Sequence, residues 1–195
     1  MITSVIRAFI AIDLTPEIRQ RLDQVSSQLQ QRLENIPVRW VTAGNIHLTL
    51  KFLGDVSVNN LEMVKKILQK EVEGHPAFEI SVGGVGAFPS ERHPRVIWVG
   101  VEAPAELSLI QHGIETATAL LGYAKEERSF SPHLTLGRVS RNATSRDTHL
   151  IGEVLESTKI GFIGVTNVDS VHLYRSDLKQ SGSVYTRIFT AALKG

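Results

Sequence analysis

The stretches His47-Leu48-Thr49-Leu50 and His133-Leu134-Thr135-Leu136 are the same tetrapeptide, HLTL, 86 residues apart in a chain of 195. With typical residue usage, a given position starts this tetrapeptide about once in a hundred thousand times. Two copies therefore call for a physical explanation. Side chains on a strand alternate between faces. Read as strands, each copy turns a histidine and a threonine to one side and two leucines to the other. Two imidazoles and two hydroxyls can then converge on one small anion.

The surroundings of each copy read alike. Val5–Ile12 is rich in apolar and β-branched residues and reads as a strand. Thr15-Pro16-Glu17 follows, a capping threonine with proline at the first helical position. Leu22, Val25, Leu29 and Leu33 then recur at helical spacing, which predicts a helix over Pro16–Glu34. Val38–Val41 and Asn45–Leu53 read as strands, the latter ending at Gly54. A second helix is expected from Val58 to Glu73, then strands at Ala77–Phe88 and Arg95–Val101. Pro104–Leu121 reads as a third helix and His133–Val139 as the second HLTL strand. Ser140–Thr148 is polar and reads as a mobile loop, Thr148–Ser157 as a helix. Ile160–Val165, Asn167–Arg175 and Val184–Ala192 close the chain as strands. Two helix-then-HLTL units imply an α+β fold made by duplication. We expect a pseudo-twofold, bilobal body with mostly antiparallel sheets, helices on each outer face and a central cleft. No linker composition separates the halves, so residues 1–195 read as one domain of two interleaved lobes.

Composition narrows the function. Net charge is +1, so contact with nucleic acid must be local. The absence of cysteine excludes disulfides and thiolate metal sites, and it fits a reducing cytoplasm. No stretch has transmembrane length, and the apolar run near the N-terminus is too short for a signal peptide. A cytoplasmic monomer is expected.

Histidine titrates near neutrality, so a pair can divide labour as general acid and general base. That division suits in-line displacement at phosphorus. His47 and His133 are the catalytic candidates, with Thr49 and Thr135 as clamps on the non-bridging oxygens. No metal or cofactor is required, and H-x-T lacks a carboxylate at ligand spacing. Arg138, five residues after His133, falls on the opposite face of an ideal strand unless Gly137 introduces a bulge. Arg138 is then a candidate for a phosphate-binding or fold-supporting role, a plain surface charge being the alternative. Lys51 shares the face of His47 and Thr49 by parity. Phe9 is a candidate for stacking a base, core packing being the alternative. His172 has no partner pattern and reads as surface or structural. Gly83-Gly84-Val85-Gly86 precedes no GK[ST] and reads as a bend in a strand.

The chain resembles the 2H phosphoesterase superfamily, specifically the RNA 2′,3′-cyclic phosphodiesterases also called 2′-5′ RNA ligases. The resemblance rests on RAFIAIDL (Arg7–Leu14), RWVTAGNIHLTLKFLGD (Arg39–Asp55), FPSERHPRVIWVG (Phe88–Gly100), FSPHLTLGR (Phe130–Arg138), LYRSDL (Leu173–Leu178) and the later Gly182 and Tyr185. It implies hydrolysis of a terminal 2′,3′-cyclic phosphate on RNA to a 2′-phosphomonoester. It implies His47 as proton donor to the leaving 3′ oxygen and His133 as the acceptor that activates water. Reversible 2′-5′ ligation is also associated with the family. Two other functions fit the residues: an RNA-end or nucleotide binding module without turnover, and a cyclic phosphodiesterase acting on another small nucleotide.

Overall fold

The computed structural model describes residues 5–180 and 182–195. In chain order they form β1 (Val5–Ile12), α1 (Pro16–Arg32), β2 (Val38–Trp40), β3 (Leu48–Ser57), α2 (Val58–Glu73), β4 (Phe78–Phe88) and β5 (Val96–Glu102). Then come α3 (Ala105–Ala119), β6 (His133–Val139), α4 (Ser145–Ser157), β7 (Phe162–Val168), β8 (Ser170–Lys179) and β9 (Gly182–Ala192). All nine strands join one sheet in the order β7-β4-β5-β6-β3-β1-β8-β9, with β2 paired to β6. The ladders between them are antiparallel.

The sheet reads the same from either end. Its middle is β6 beside β3, joined at a single pair, Leu48 opposite Leu134. Outward from each lies a strand followed in sequence by a helix (β5 or β1), then β4 or β8, then an edge strand. The expected α+β fold with a twofold pattern is present. The halves are interleaved through the chain path: β8 and β9 return to the first half after β7, and α1 leaves β1 to pack on β7.

Burial explains the layers. Ile10, Ile12, Leu48, Ile97, Val99 and Leu134 are at most 1% exposed and face the helices. Leu22 and Leu29 of α1, Leu68 of α2, Ile110 and Ile114 of α3 and Ile151 of α4 meet them. Removing this apolar surface from water is the main stabilising term. Among the described residues no helix is long and apolar enough to cross a membrane.

Two boundaries differ from the sequence reading. Strand β3 does not stop at Gly54; that residue takes a φ of +70° beside a register shift, and pairing continues to Ser57. Gly84, also at +70°, accompanies the register shift in β4, in keeping with the bend read from the glycine run. Helix α4 begins at Ser145, inside the segment read as a loop. Thr144 accepts from Asp147 N at 3.2 Å, and Asp147 Oδ2 accepts from Thr144 N at 2.7 Å. This T-x-x-D capping box was present in the sequence.

Candidate active site

The HLTL strands lie side by side at the centre of the sheet. Leu48 faces Leu134, and antiparallel register then sets His47 opposite Thr135 and Thr49 opposite His133. Both leucines are fully buried toward the helices. The histidines and threonines therefore share the other face, as a rectangle with the imidazoles on one diagonal. Strand spacing and rise make that diagonal about 8 Å between Cα atoms. Sequence parity foresaw the shared face within each copy. The pairing across the sheet is what only the fold supplies.

Each imidazole is pinned in the same way. His47 Nδ1 donates to the carbonyl of Asn45 at 2.8 Å, and His133 Nδ1 donates to that of Ser131 at 2.7 Å. A carbonyl can only accept, so Nδ1 carries a proton in both rings. Nε2 is left as the nitrogen that exchanges protons. His47 stands just before β3, where Asn45 closes a 3-10 turn, Ala43–Asn45. Neither Thr49 nor Thr135 commits its hydroxyl to a protein partner among the described residues.

A bulge lies just past each motif at the same place. Against β1, the partners step from Thr49 to Lys51 and skip Leu50; against β5 they step from Thr135 to Gly137 and skip Leu136. Each bulge reverses the parity of the residues beyond it. Arg138 thus turns onto the face of His133 and Thr135. Its charge is felt at His47. Phe52, half exposed, occupies the corresponding place after the first motif, with the Arg7 guanidinium 4.8 Å above its ring. The same reversal corrects the expectation for Lys51. It points into the helix layer, 5% exposed, and meets Glu115 of α3 at 2.5 Å.

Phe9 is also placed differently from a base-stacking residue. It is 3% exposed, its ring stacked 4.6 Å from His47 and 5.3 Å from Tyr174, with Tyr185 edge-on at 4.9 Å. Its contact is with the imidazole, which it holds. On the other side, Phe88 meets His133 edge-on at 4.9 Å and packs beside Trp98. Register makes Tyr174 the counterpart of Phe88: one pairs with Phe9 across β1, the other with Val96 across β5.

Burial dominates the electrostatics of His47 and lowers its pKa to about 4. The Asn45 carbonyl and Asp13 work in the opposite direction, while Arg19 and Arg138 add to the lowering. The free protein therefore holds His47 neutral at pH 7. Beside it opens a cavity of about 230 Å³, bordered by Asp13, Arg19, Tyr174, Tyr185 and Arg187. Asp13 Oδ1 accepts from the Tyr174 hydroxyl at 2.7 Å, and burial pushes that phenol's pKa up. His172, 4% exposed, faces Asp13 and bonds Thr190, with its pKa lowered by burial. It is structural, one of the two roles its sequence context allows. Sequence reasoning did not nominate Asp13, Arg19 or Arg187; the aspartate ending the RAFIAIDL run was the available signal. Among the described residues no group of three His, Asp or Glu is placed to hold a metal ion.

The chain is similar to known proteins over most of its length. The model of the LigT like Phosphoesterase family matches residues 12–98. An RNA 2′,3′-cyclic phosphodiesterase of Methanothermobacter thermautotrophicus is 36% identical over 93% of this chain and 95% of its own. One of Thermotoga maritima is 31% identical over 97% and 96%. The crystal structure of Escherichia coli LigT complexed with 3′-AMP superposes with a TM-score of 0.78 at 27% identity, covering 98% of this chain and all of the other. Homology across nearly the whole chain and likeness across the whole fold agree: the chain belongs to the LigT-like phosphoesterase family.

Proposed function

We propose that the protein hydrolyses the 2′,3′-cyclic phosphate at the end of an RNA to a 2′-phosphomonoester, by acid–base catalysis from two histidines without a metal. The observation that carries this is the antiparallel pairing of the two motifs at Leu48 and Leu134, with both imidazoles pinned through Nδ1. The naming of its relatives as RNA 2′,3′-cyclic phosphodiesterases supports the substrate.

In this reading the phosphodiester sits between the strands. Thr49 and Thr135 donate to its non-bridging oxygens, and Arg138 offsets its charge. His133 Nε2 takes a proton from water, whose oxygen attacks phosphorus. The P–O3′ bond breaks, and His47 Nε2 delivers a proton to O3′. The 2′ ester remains. The assignment of donor and acceptor comes from the family resemblance. His47 rests neutral, so it takes up a proton from solvent as the anionic substrate binds. A phosphate anion within about 4–6 Å favours the imidazolium by roughly 1–3 pKa units, in the direction Asp13 and the Asn45 carbonyl already push. With a 5′-hydroxyl in place of water, the same displacement forms a 2′-5′ linkage, so ligation needs no further group.

The test is product analysis with an RNA ending in a 2′,3′-cyclic phosphate, in EDTA. Ring opening to the 2′-phosphate alone is expected. A 3′-phosphate product would show that the other oxygen leaves. Binding without turnover would make the protein an RNA-end reader instead.

A further inference from the structure

The cavity beside His47 holds more charge than the opening of a cyclic phosphate uses. Directly paired residues share a sheet face, so Phe9, Tyr174 and Arg187 form one row running outward from β3. Arg19 reaches the same space from the first turns of α1. Both guanidiniums face one carboxylate: Arg19 lies 3.4 Å from Asp13 Oδ1, Arg187 3.6 Å from Oδ2. At those distances Asp13 orients them without consuming their donors, five N–H groups each. His172, the other ionisable ring on Asp13, has its pKa lowered by burial and adds no charge at neutral pH. Two cations against one anion leave the cavity positive.

The geometry points to a second anion subsite: Arg19 and Arg187 read the phosphate on the 5′ side of the terminal nucleotide, so the preferred substrate is a phosphorylated RNA end and not a bare nucleoside cyclic phosphate. This rests on the RNA-end reading above. Asp13 comes directly after β1, the neighbour of β3, so the guanidiniums gather within one or two strand spacings, roughly 5–10 Å, of the His47 corner of the rectangle. One nucleotide spans that gap. A forked guanidinium matches the paired oxygens of a phosphate in a way a lysine does not.

The experiment compares kcat/KM for adenosine 2′,3′-cyclic phosphate, its 5′-phosphorylated form, and the dinucleotide adenylyl-adenosine 2′,3′-cyclic phosphate. Wild type should favour both phosphorylated substrates at least tenfold over the bare nucleoside. Arg187→Gln should cut that ratio about tenfold, and Arg187→Lys, which keeps the charge, should cut it less. A wild-type ratio near one overturns the subsite. So does an equal loss on all three substrates, or a gain confined to the dinucleotide, which would mean the neighbouring nucleoside is read. If wild type opens none of the three, the activity reading fails and binding decides the subsite. Calorimetry with the 2′-phosphorylated dinucleotide and with adenosine 2′-phosphate should then show about a tenfold preference for the former, abolished in Arg187→Gln. Equal affinities would remove the proposal.

Discussion

The two HLTL segments share a sequence, a bulge and a histidine pinned to the carbonyl two residues back, yet the ground beneath them differs. After the first, the bulge turns Lys51 inward to a buried partner. After the second, it turns in Gly137, where an added Cβ would lie 2.8 Å from Val38 and 3.1 Å from Trp40 of β2. The outward residue is Phe52 in one half and Arg138 in the other. His47 is walled by Phe9, Tyr174 and Tyr185, whereas among the described residues His133 meets Phe88 alone of the aromatic rings. Backbone geometry that positions each histidine beside its threonine is the same in both halves. Packing around each ring and beneath each strand is not.

The comparison breaks most visibly at the imidazoles. If both are required, His47→Ala and His133→Ala each lower kcat by about 10²–10⁴, and the double variant falls little further, because groups acting as a unit are not additive. Steady-state rates on a cyclic-phosphate RNA, with circular dichroism to confirm folding, decide it. A large effect at one histidine only would mean that the second copy is a structural strand.

Next in size is Lys51. Its ammonium and the Glu115 carboxylate are both largely buried, and Glu115 also accepts from Glu126 N at 2.8 Å. Lys51→Ala leaves that carboxylate without its cation and should cost about 3–5 kcal/mol. A paired Lys51→Met, Glu115→Leu variant should recover most of it, because no charge is then stranded. Denaturant midpoints report both. Since Gly137 has no such partner, the second half offers no equivalent loss.

The third effect is a pH dependence at His47. His47 has a folded pKa lowered to about 4 from the ordinary 6.5. Protons then bind the unfolded chain more readily between those values, so stability is full above pH 6.5 and lost as pH falls toward 4. The loss amounts to about 3 kcal/mol. Comparing urea unfolding at pH 7 and pH 4.5, His47→Gln should flatten most of that decline. An unchanged slope would show that its ring is hydrated in solution.

The same contrast marks how much was legible in the chain. Strand parity correctly put His47 with Thr49 and His133 with Thr135, because alternation is a local rule. It failed for Lys51 and was undecided for Arg138, because a bulge is settled by the partner strand: Ile10–Ala11 and Ile97–Trp98 impose the skip. Phe9 could not be assigned from sequence, since its neighbours Tyr174 and Tyr185 come from strands more than 150 residues away. Arg187 was invisible for the same reason, although Arg19 follows Asp13 closely in the chain. Asp13 ends the apolar run of β1, but its gathering of both arginines shows only once β1, β8 and β9 lie side by side.

The smallest effect compares the helices that come after the two motifs. Both start on a hydroxyl cap: Ser57 accepts from Asn60 N at 3.2 Å, and Thr144 accepts from Asp147 N at the same distance. Only the second is reciprocal, with Asp147 accepting from both the amide and the hydroxyl of Thr144 and held below the usual carboxylate range by those bonds. Thr144→Ala removes two of these three bonds and should cost about 1 kcal/mol or somewhat more, while Ser57→Ala should cost less, within the range of a single cap. The difference should shrink once pH falls far enough to protonate Asp147, because the neutral acid accepts more weakly and its half of the box fades. Equal costs at pH 7 would show that α4 is held by Ile151, Val154 and Leu155 against the sheet, with its capping box adding nothing that a lone hydroxyl does not.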